Sequence, residues 1–318
     1  MSSIILLLIG FVLLFFGGEL LVKGSISLAL KMKISTLVVG MTVLAFATSA
    51  PELFVSLRAI LEGSSNIALG NAIGSNIANI ALVLGITAAI FRVKISKQIL
   101  VLNYPLMLVF SCLLGIVLYF FSGIPVIVGL FFVFLLILFM WFLIVVSRKQ
   151  HLQFDNDGEQ ILEKTEPNSL VKSILILIFG VLLLKYGADF LVSSTKVIAK
   201  NIGVSDRVIA VTIVAIGTSI PELATSVIAA FRREENLAVG NLIGSNIFNI
   251  LAVLGITASI KRINVDDVAI FSSDYVWMMG ITLILGLFLY VFSKYQISRF
   301  SGAFLVLVYV LYLYQTII

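Results

Sequence analysis

The chain contains few charged residues, one cysteine and one histidine. Charged residues make up 12% of its 318 residues, against about a quarter in soluble domains. The single cysteine, Cys112, lies inside an apolar run. One cysteine cannot form an internal disulfide, and nothing in the sequence indicates redox chemistry. His151 lies in a hydrophilic stretch, and the sequence has no HExxH zinc-protease motif. The net charge of +5 comes from lysines and arginines between apolar runs, so we predict no nucleic-acid partner.

Hydrophobic residues make up 61% of the chain, and they are gathered into long runs. Each run is near or above the ~20 residues that an α-helix needs to span a bilayer. Six runs are continuous: 4–29, 99–121, 124–146, 171–192, 268–292 and 300–318. Four more are interrupted by polar residues, glycine or proline: 35–61, 66–91, 205–231 and 236–260. The sequence therefore predicts an all-α integral membrane protein in the lipid bilayer with ten transmembrane helices.

The first apolar run has an alternative interpretation as a secretory signal peptide. It lacks a basic segment before the apolar residues, and no small-residue cleavage site leads into soluble sequence. We interpret it as the first span, retained in the mature protein. Lysines and arginines are concentrated in the loops after the odd-numbered spans, which predicts that both termini lie outside. With no targeting segment and no regulatory domain in the sequence, we expect the plasma (inner) membrane.

Two sequence segments recur at a constant offset of 170 residues. Residues 42–53 read TVLAFATSAPEL, and residues 212–223 read TIVAIGTSIPEL. Residues 70–80 read GNAIGSNIANI, and residues 240–250 read GNLIGSNIFNI. Each half holds five predicted spans, an odd number, so the halves must cross the membrane in opposite directions, as in many secondary transporters.

The repeat predicts three parts of the chain. Residues 1–147 form the first five-helix repeat, 148–170 a cytoplasmic linker loop, and 171–318 the second, inverted repeat. The linker contains Asp155-Asn156-Asp157-Gly158-Glu159, which superficially resembles a calcium-binding loop. It is too short and lacks the later bidentate glutamate of an EF-hand, so we interpret it as a solvated linker.

The second span is interrupted in its middle by Thr48, Ser49, Pro51 and Glu52. Proline has no N–H to bond four residues back, so carbonyls near residues 45–47 are expected to be free. Non-helical backbone at membrane depth is tolerated where it is buried in protein or lines a wet cavity. A carboxylate, two hydroxyls and loosened carbonyls are hard oxygen ligands, suited to Na⁺ and Ca²⁺. The seventh span repeats this arrangement with Thr218, Ser219, Pro221 and Glu222.

The third and eighth spans carry matched polar stripes at a spacing of four residues, which places each stripe on one helix face. The stripes are Asn71, Ser75 and Asn79 in the third span and Asn241, Ser245 and Asn249 in the eighth. Gly70, Gly74, Gly240 and Gly244 form small-xxx-small patterns that allow close helix approach. The polar residues could serve helix packing alone, but Asn79 and Asn249 offer two matched amide groups as cation ligands.

A carboxylate near the bilayer centre costs at least ~2.5–3.5 kcal/mol and is by default a candidate functional residue. Lys23 and Lys185 are the basic residues within the spans, and each has an acidic residue four positions away. We expect the local pairs Glu19 with Lys23 and Lys185 with Asp189. Glu52 and Glu222 then have no basic partner, and a bound cation is expected instead.

The doubled TSxPE and GNxxGSNIxNI segments resemble the cation/calcium exchanger superfamily, and within it the prokaryotic sodium/calcium exchangers. The resemblance covers essentially the whole chain. It implies a secondary active antiporter that exchanges Na⁺ for Ca²⁺ by alternating access, with the ions bound between the repeats. The implied cation ligands are Glu52, Glu222, Asn79, Asn249, Thr48, Ser49, Thr218, Ser219, Ser75 and Ser245, with the carbonyls of Ala45 and Ala215. Some relatives carry aspartate at the position of Asn249, whereas this chain has asparagine. The site then has two carboxylates instead of three, and K⁺ co-transport is less expected.

Three alternatives remain open at this point. The first is an antiporter of the same fold that couples Ca²⁺ to protons, or Na⁺ to another divalent cation. The second is a cation channel lined by the same oxygen groups. The third is an intramembrane enzyme, which the sequence disfavours because neither glutamate lies in a nucleophile–base arrangement. We predict no enzymatic activity and no cofactor, with Na⁺ and Ca²⁺ as transported ions. The sequence gives no information on oligomeric state.

Overall fold

The computed structural model describes residues 2–157, 169–201, 217–265, 267, 269–292 and 295–317. The helices of the first half are α1 Ser2–Met32, α2 Thr36–Thr48, α3 Ala50–Leu61, α4 Ser65–Ile90, α5 Ile99–Phe121 and α6 Val126–Asp157. Those of the second half are α7 Leu170–Asn201, α8 Ile220–Phe231, α9 Glu235–Ile260, α10 Ile270–Phe292 and α11 Arg299–Ile317. Four two-residue strands connect them: β1 Val93–Lys94, β2 Gly123–Ile124, β3 Ile263–Asn264 and β4 Gln296–Ile297.

Seven helices in the described residues are long and apolar enough to cross a membrane, or eight if the bent pair α2 and α3 is one span. The prediction of an all-α membrane protein is thereby confirmed. The count of ten spans stays a prediction, because the seventh predicted span begins in residues 202–216, which lie outside the described part of the chain. The predicted linker 148–170 is partly helical, since α6 continues to Asp157, and its residues 158–168 also lie outside the described part.

The long helices α1 and α7 cross in antiparallel directions. A Cβ on Gly10 would lie 2.9 Å from the Gly187 carbonyl oxygen, and one on Gly17 would lie 3.0 Å from the Gly180 carbonyl oxygen. Further along, the Ser27 and Ser173 hydroxyl oxygens are 2.8 Å apart. Contacts that move forward along one helix move backward along the other, which defines the antiparallel crossing. The glycines permit this backbone approach because they carry no side chain.

The elements of the two halves recur in the same order and exchange contacts. Strand β1, which follows α4, pairs antiparallel with β4, which follows α10. Strand β2, which follows α5, pairs antiparallel with β3, which follows α9. Helix α9 lies against α2, and a Cβ on Gly244 would lie 2.6 Å from Met41 Cα. The core of the molecule is therefore formed jointly by the two halves.

The predicted close approach of the small-xxx-small glycines is confirmed for the eighth span. A Cβ on Gly240 would lie 2.6 Å from the carbonyl oxygen of Leu37. For Gly70 and Gly74, no described atom lies within 4 Å of such a Cβ. The segment that repeats α2 in the second half lies outside the described residues, so the prediction for these two glycines stays untested.

The predicted local pair of Glu19 with Lys23 is wrong. Glu19 instead binds Arg232 at the end of α8, through Nε to Oε1 at 2.8 Å and Nη2 to Oε2 at 2.6 Å. The guanidinium fork matches both carboxylate oxygens at once, which the single ammonium of Lys23 does not. In the second half, Lys185 Nζ lies 5.7 Å from the centre of the Tyr186 ring and forms no ion pair with Asp189.

Substitution of Gly17 by alanine tests the α1–α7 crossing. The added Cβ would lie 2.9 Å from the Leu184 backbone nitrogen, so backbone must shift, at a cost of about 1–3 kcal/mol. We expect Gly17→Ala to lower the melting temperature of the purified protein. Gly280→Ala on α10 is the matched control, because no described atom lies within 4 Å of its Cβ. Equal melting temperatures for the two variants would contradict the close crossing.

Candidate cation site

The helix of the second predicted span breaks at Ser49. Helix α2 ends at Thr48, α3 begins at Ala50, and the two are bent by 44°. Pro51 lies in the first turn of α3, where its missing N–H is tolerated. The break places Glu52 in the same first turn and buries it to 1% exposure.

The backbone at the break differs in one respect from the sequence-based expectation. The Ala45 carbonyl accepts a hydrogen bond from the Ser49 N–H at 2.9 Å, so it is not released. It also lies 3.5 Å from Thr48 Oγ1. The carbonyl that Pro51 deprives of its helical donor is that of Ala47, four residues before it. Ala45 therefore offers an ion only its remaining lone-pair capacity.

The second half presents the matching arrangement at the start of α8. Pro221 lies in the first turn, and Glu222 beside it is 1% exposed. Ser219 precedes the helix and is buried, while Thr218 is half-buried. Ala215, the predicted carbonyl ligand of this half, lies outside the described residues.

The two carboxylates face a pocket of hydroxyls contributed partly by the opposite half. Thr48 and Ser49 lie close to Glu222, and Thr218 lies close to Glu52. Ser75 Oγ is 3.5 Å from Glu52 Oε1. The carboxylates of Glu52 and Glu222 are themselves close enough to interact electrostatically. The structure thus brings together residues from four separate helices that the sequence singled out.

Among the described residues, no basic side chain neutralises the carboxylate of Glu52 or of Glu222. Glu52 Oε2 and both oxygens of Glu222 are buried without a hydrogen-bond partner there. None of the described lysine or arginine side chains forms an ion pair with them. A buried, unpaired carboxylate costs several kcal/mol, and a bound cation would remove that cost.

The polar stripes of α4 and α9 pass the same point, and each helix widens there into a π-helical turn. Asn79 is the second residue of the π-helical stretch Ala78–Leu84, and Asn249 is the first of Asn249–Leu254. Such π-turns are frequent at functional sites because the extra residue redirects nearby side chains and carbonyls. Both amide atoms of Asn79, and Oδ1 of Asn249, are buried without a described partner.

The first residues of the stripes serve neighbouring groups. Thr48 Oγ1 donates to Asn241 Oδ1 at 3.2 Å and lies 3.5 Å from Ser245 Oγ. Asn71 Nδ2 donates instead to the Glu52 backbone carbonyl and to Ser56 Oγ, each at 3.0 Å. The stripes therefore bring Ser75 to Glu52 and Ser245 to Thr48, while Asn71 holds α3 against α4.

The donor set is composed of hard oxygen atoms. Among the described residues no group of three or more His, Cys, Asp or Glu side chains is arranged for a metal ion. The site combines two carboxylates with neutral amide and hydroxyl oxygens. This chemistry fits Na⁺ or Ca²⁺ and does not fit soft metals.

A cleft of ≈ 920 Å³ opens beside the site between α7 and the α2–α3 break. Its walls include Thr48 and Thr218, together with Pro51 and Pro221 at the starts of α3 and α8. Lys185 and Asp189 of α7 also line it. The cleft therefore borders the two threonines of the candidate site, Thr48 and Thr218.

The fold defines a multi-pass membrane protein, and the candidate site is a buried cluster of carboxylate, hydroxyl and amide oxygens. A family model described as sodium/calcium exchanger protein matches residues 2–145 and 172–318, and the chain belongs to that family.

Individual relatives match nearly the whole chain. The sodium/calcium exchanger MaX1 of Methanosarcina acetivorans is 31% identical over 345 residues, covering 98% of this chain and 97% of that protein. The inner membrane protein YrbG of Escherichia coli is 35% identical over 285 residues, covering 89% and 87%. A solved structure of the sodium-calcium exchanger NCX_Mj, soaked with 2.5 mM Na⁺ and 0.1 mM Ca²⁺, has a TM-score of 0.79 and 31% identity. That similarity covers 98% of this chain and 97% of that chain.

The substitution Glu222→Gln tests the role of the unpaired carboxylate. It keeps the shape of the side chain but removes the charge, and losing one partner of a buried charge pair costs about 2–5 kcal/mol. We expect Ca²⁺ affinity, measured by calorimetry on purified protein, to fall by at least about 30-fold. Glu235→Gln at the start of α9 is the control and should bind like the unmodified protein. Unchanged affinity in Glu222→Gln would remove this carboxylate from the site.

Proposed function

We propose that the protein is an antiporter that exchanges Na⁺ for Ca²⁺ by alternating access, with both ions bound between Glu52 and Glu222. The observation that carries this proposal is the pair of facing carboxylates, each 1% exposed, with no described basic partner. The remaining ligands are Asn79 and Asn249, the hydroxyls of both helix breaks and of Ser75 and Ser245, and the carbonyls of Ala45 and Ala215. The family and the relatives named as sodium/calcium exchangers support Na⁺ and Ca²⁺ as the transported ions.

The charge of the site sets the rules of exchange. With both glutamates ionised the site carries two negative charges, and enclosing it in a low dielectric is strongly unfavourable. One Ca²⁺ neutralises it, and so do two Na⁺. Because both ions use the same carboxylates, they exclude each other. Only a neutralised site can then be enclosed and opened to the opposite side, which is sufficient for antiport. A further Na⁺ at the hydroxyl and carbonyl ligands would make the exchange electrogenic.

The difference between the two faces of the site supports alternating access. On one face α1 lies directly against α8, with Gly18 in contact with Ile228 and Glu19 bound to Arg232. On the other face the cleft separates α7 from α3. The positions that match Glu19 and Arg232 at the repeat offset are Asp189 and Glu62, two acidic residues that cannot form the same ion pair. In the part of the chain that the structure describes, helix contacts cover one face of the site, and the other face borders the cleft.

We propose ten spans in two inverted repeats, with both termini outside, in the plasma or inner membrane. The antiparallel crossing of α1 and α7 supports the inversion. Contacts between loops also agree with the proposed topology, which places β1 and β4 on the inner side and β2 and β3 on the outer side. The name of the relative YrbG, an inner membrane protein, supports the membrane assigned.

Transport of Ca²⁺ into sealed vesicles tests this function. Proteoliposomes loaded with Na⁺ and diluted into Na⁺-free choline medium should take up labelled Ca²⁺, because outward Na⁺ flow exchanges for it. Vesicles with equal Na⁺ on both sides, and vesicles carrying Glu52→Gln, are the controls and should show no uptake. Uptake that ignores the Na⁺ gradient but follows a pH gradient would replace Na⁺ coupling by proton coupling. Non-saturable flux without a counter-ion would indicate a channel.

A further inference from the structure

Asn76 on α4 is a buried asparagine next to the proposed cation site. It is not among the proposed cation ligands. It is 2% exposed. Its Oδ1 accepts a hydrogen bond from Asn249 Nδ2 of the opposite half, at 3.0 Å. An asparagine side chain has one oxygen that accepts and one nitrogen that donates, so this bond fixes which end of Asn249 faces Asn76.

The orientation of Asn76 is itself fixed. Its Nδ2 donates to the backbone carbonyl of Asn246 at 3.3 Å and lies 3.6 Å from Met278 Sδ. A reversed amide would place its oxygen against these two acceptors and its nitrogen against the Asn249 amino group. Asn76 therefore presents only an acceptor to position 249.

Asn249 Oδ1 is left as the free end of this chain of hydrogen bonds. It is buried, with Asn249 1% exposed, and it has no described hydrogen-bond partner. A cation binds the oxygen of an amide and is repelled by its N–H groups. The bond from Asn76 thus leaves the cation-binding end of Asn249 available to the site.

The matching residue of the other half does not do the same. Asn246 Nδ2 donates to the Leu242 carbonyl within its own helix at 2.8 Å, and its Oδ1 has no described partner. The amide oxygen and nitrogen of Asn79 also have no described hydrogen-bond partner. Of the two matched amides, Asn249 is the one that a described residue orients before an ion arrives.

We infer that Asn76 is a positioning and specificity residue that orients the Asn249 carbonyl oxygen toward the transported cation. This rests on the proposed function of the site. Because Asn76 presents an acceptor, it also favours an amide over an ionised carboxylate at position 249. The site is thereby kept at two negative charges, which one Ca²⁺ neutralises.

A double-mutant cycle tests this role on the purified full-length protein, with the Ca²⁺ dissociation constant as the readout. Loss of one hydrogen bond of this kind should weaken Ca²⁺ binding in Asn76→Leu by roughly fivefold to tenfold. Asn249→Ala should also weaken it. Because Asn76 acts through Asn249, adding Asn76→Leu to Asn249→Ala should produce no further loss. The control Asn103→Leu replaces another fully buried asparagine, on α5, and should leave the constant unchanged.

Asn76→Asp keeps an acceptor for the Asn249 amide and provides a second variant if Asn76→Leu does not fold. It also loses the Nδ2 donor that faces the Asn246 carbonyl. Because the acceptor for Asn249 remains, its Ca²⁺ binding should weaken less than that of Asn249→Ala, and an equal or larger loss would overturn the inference. Additive losses in the double variant, with Na⁺-driven Ca²⁺ uptake intact in the unmodified protein, would overturn the role of Asn76 alone. Absence of Ca²⁺ binding by the unmodified protein would overturn the proposed function together with it.

Discussion

The electrostatic problem of two buried carboxylates determines how the rest of the molecule is arranged. Glu52 and Glu222 interact with each other, and no described lysine or arginine compensates their charge. Their burial is unfavourable unless mobile cations supply the compensation. In the proposed function the transported ions provide this compensation, and ion binding is thereby linked to enclosure of the site.

The backbone around these carboxylates is adapted to hold polar groups inside an apolar protein. The break at Ser49 and the start of α8 after Ser219 place each glutamate in the first turn of a helix, where the helix dipole favours a negative charge. The π-helical turns of α4 and α9 include Asn79 and Asn249, and both side chains are buried. Since Thr48 and Ser49 approach the glutamate of the other half, the site exists only where the two halves meet. Relative movement of the halves must therefore alter the ligand set.

The sequence alone identified most of this site because polar residues in apolar spans are costly and these recur at a fixed offset. Glu52, Glu222 and the hydroxyls beside them were recognisable from that recurrence, and the structure brings them together. The ion pair of Glu19 with Arg232 was missed because the two residues are 213 positions apart, and local residue spacing cannot predict such a contact. The sequence predicted released carbonyls near residues 45–47, and within that range the Ala45 carbonyl is bonded to the Ser49 N–H, while Ala47 is the residue four positions before Pro51.

Other features had no usable signal in the sequence. The π-helical turns in α4 and α9 were not predicted from the sequence. Asn76 lies one position beyond Ser75, off the face that carries Asn71 and Asn79, so helical spacing separated it from the site. Its importance follows from the direction of one hydrogen bond to the opposite half, which only the three-dimensional arrangement provides.

The central claim is that Na⁺ and Ca²⁺ occupy the same two carboxylates and exclude each other. Equilibrium binding of Ca²⁺ to the purified protein, measured at increasing Na⁺ concentration and constant ionic strength, tests this most directly. The account predicts that the apparent Ca²⁺ dissociation constant rises with roughly the square of the Na⁺ concentration once Na⁺ saturates the site, since two Na⁺ replace one Ca²⁺. Ca²⁺ binding that is unaffected by Na⁺ would contradict it, because the two ions would then occupy separate sites.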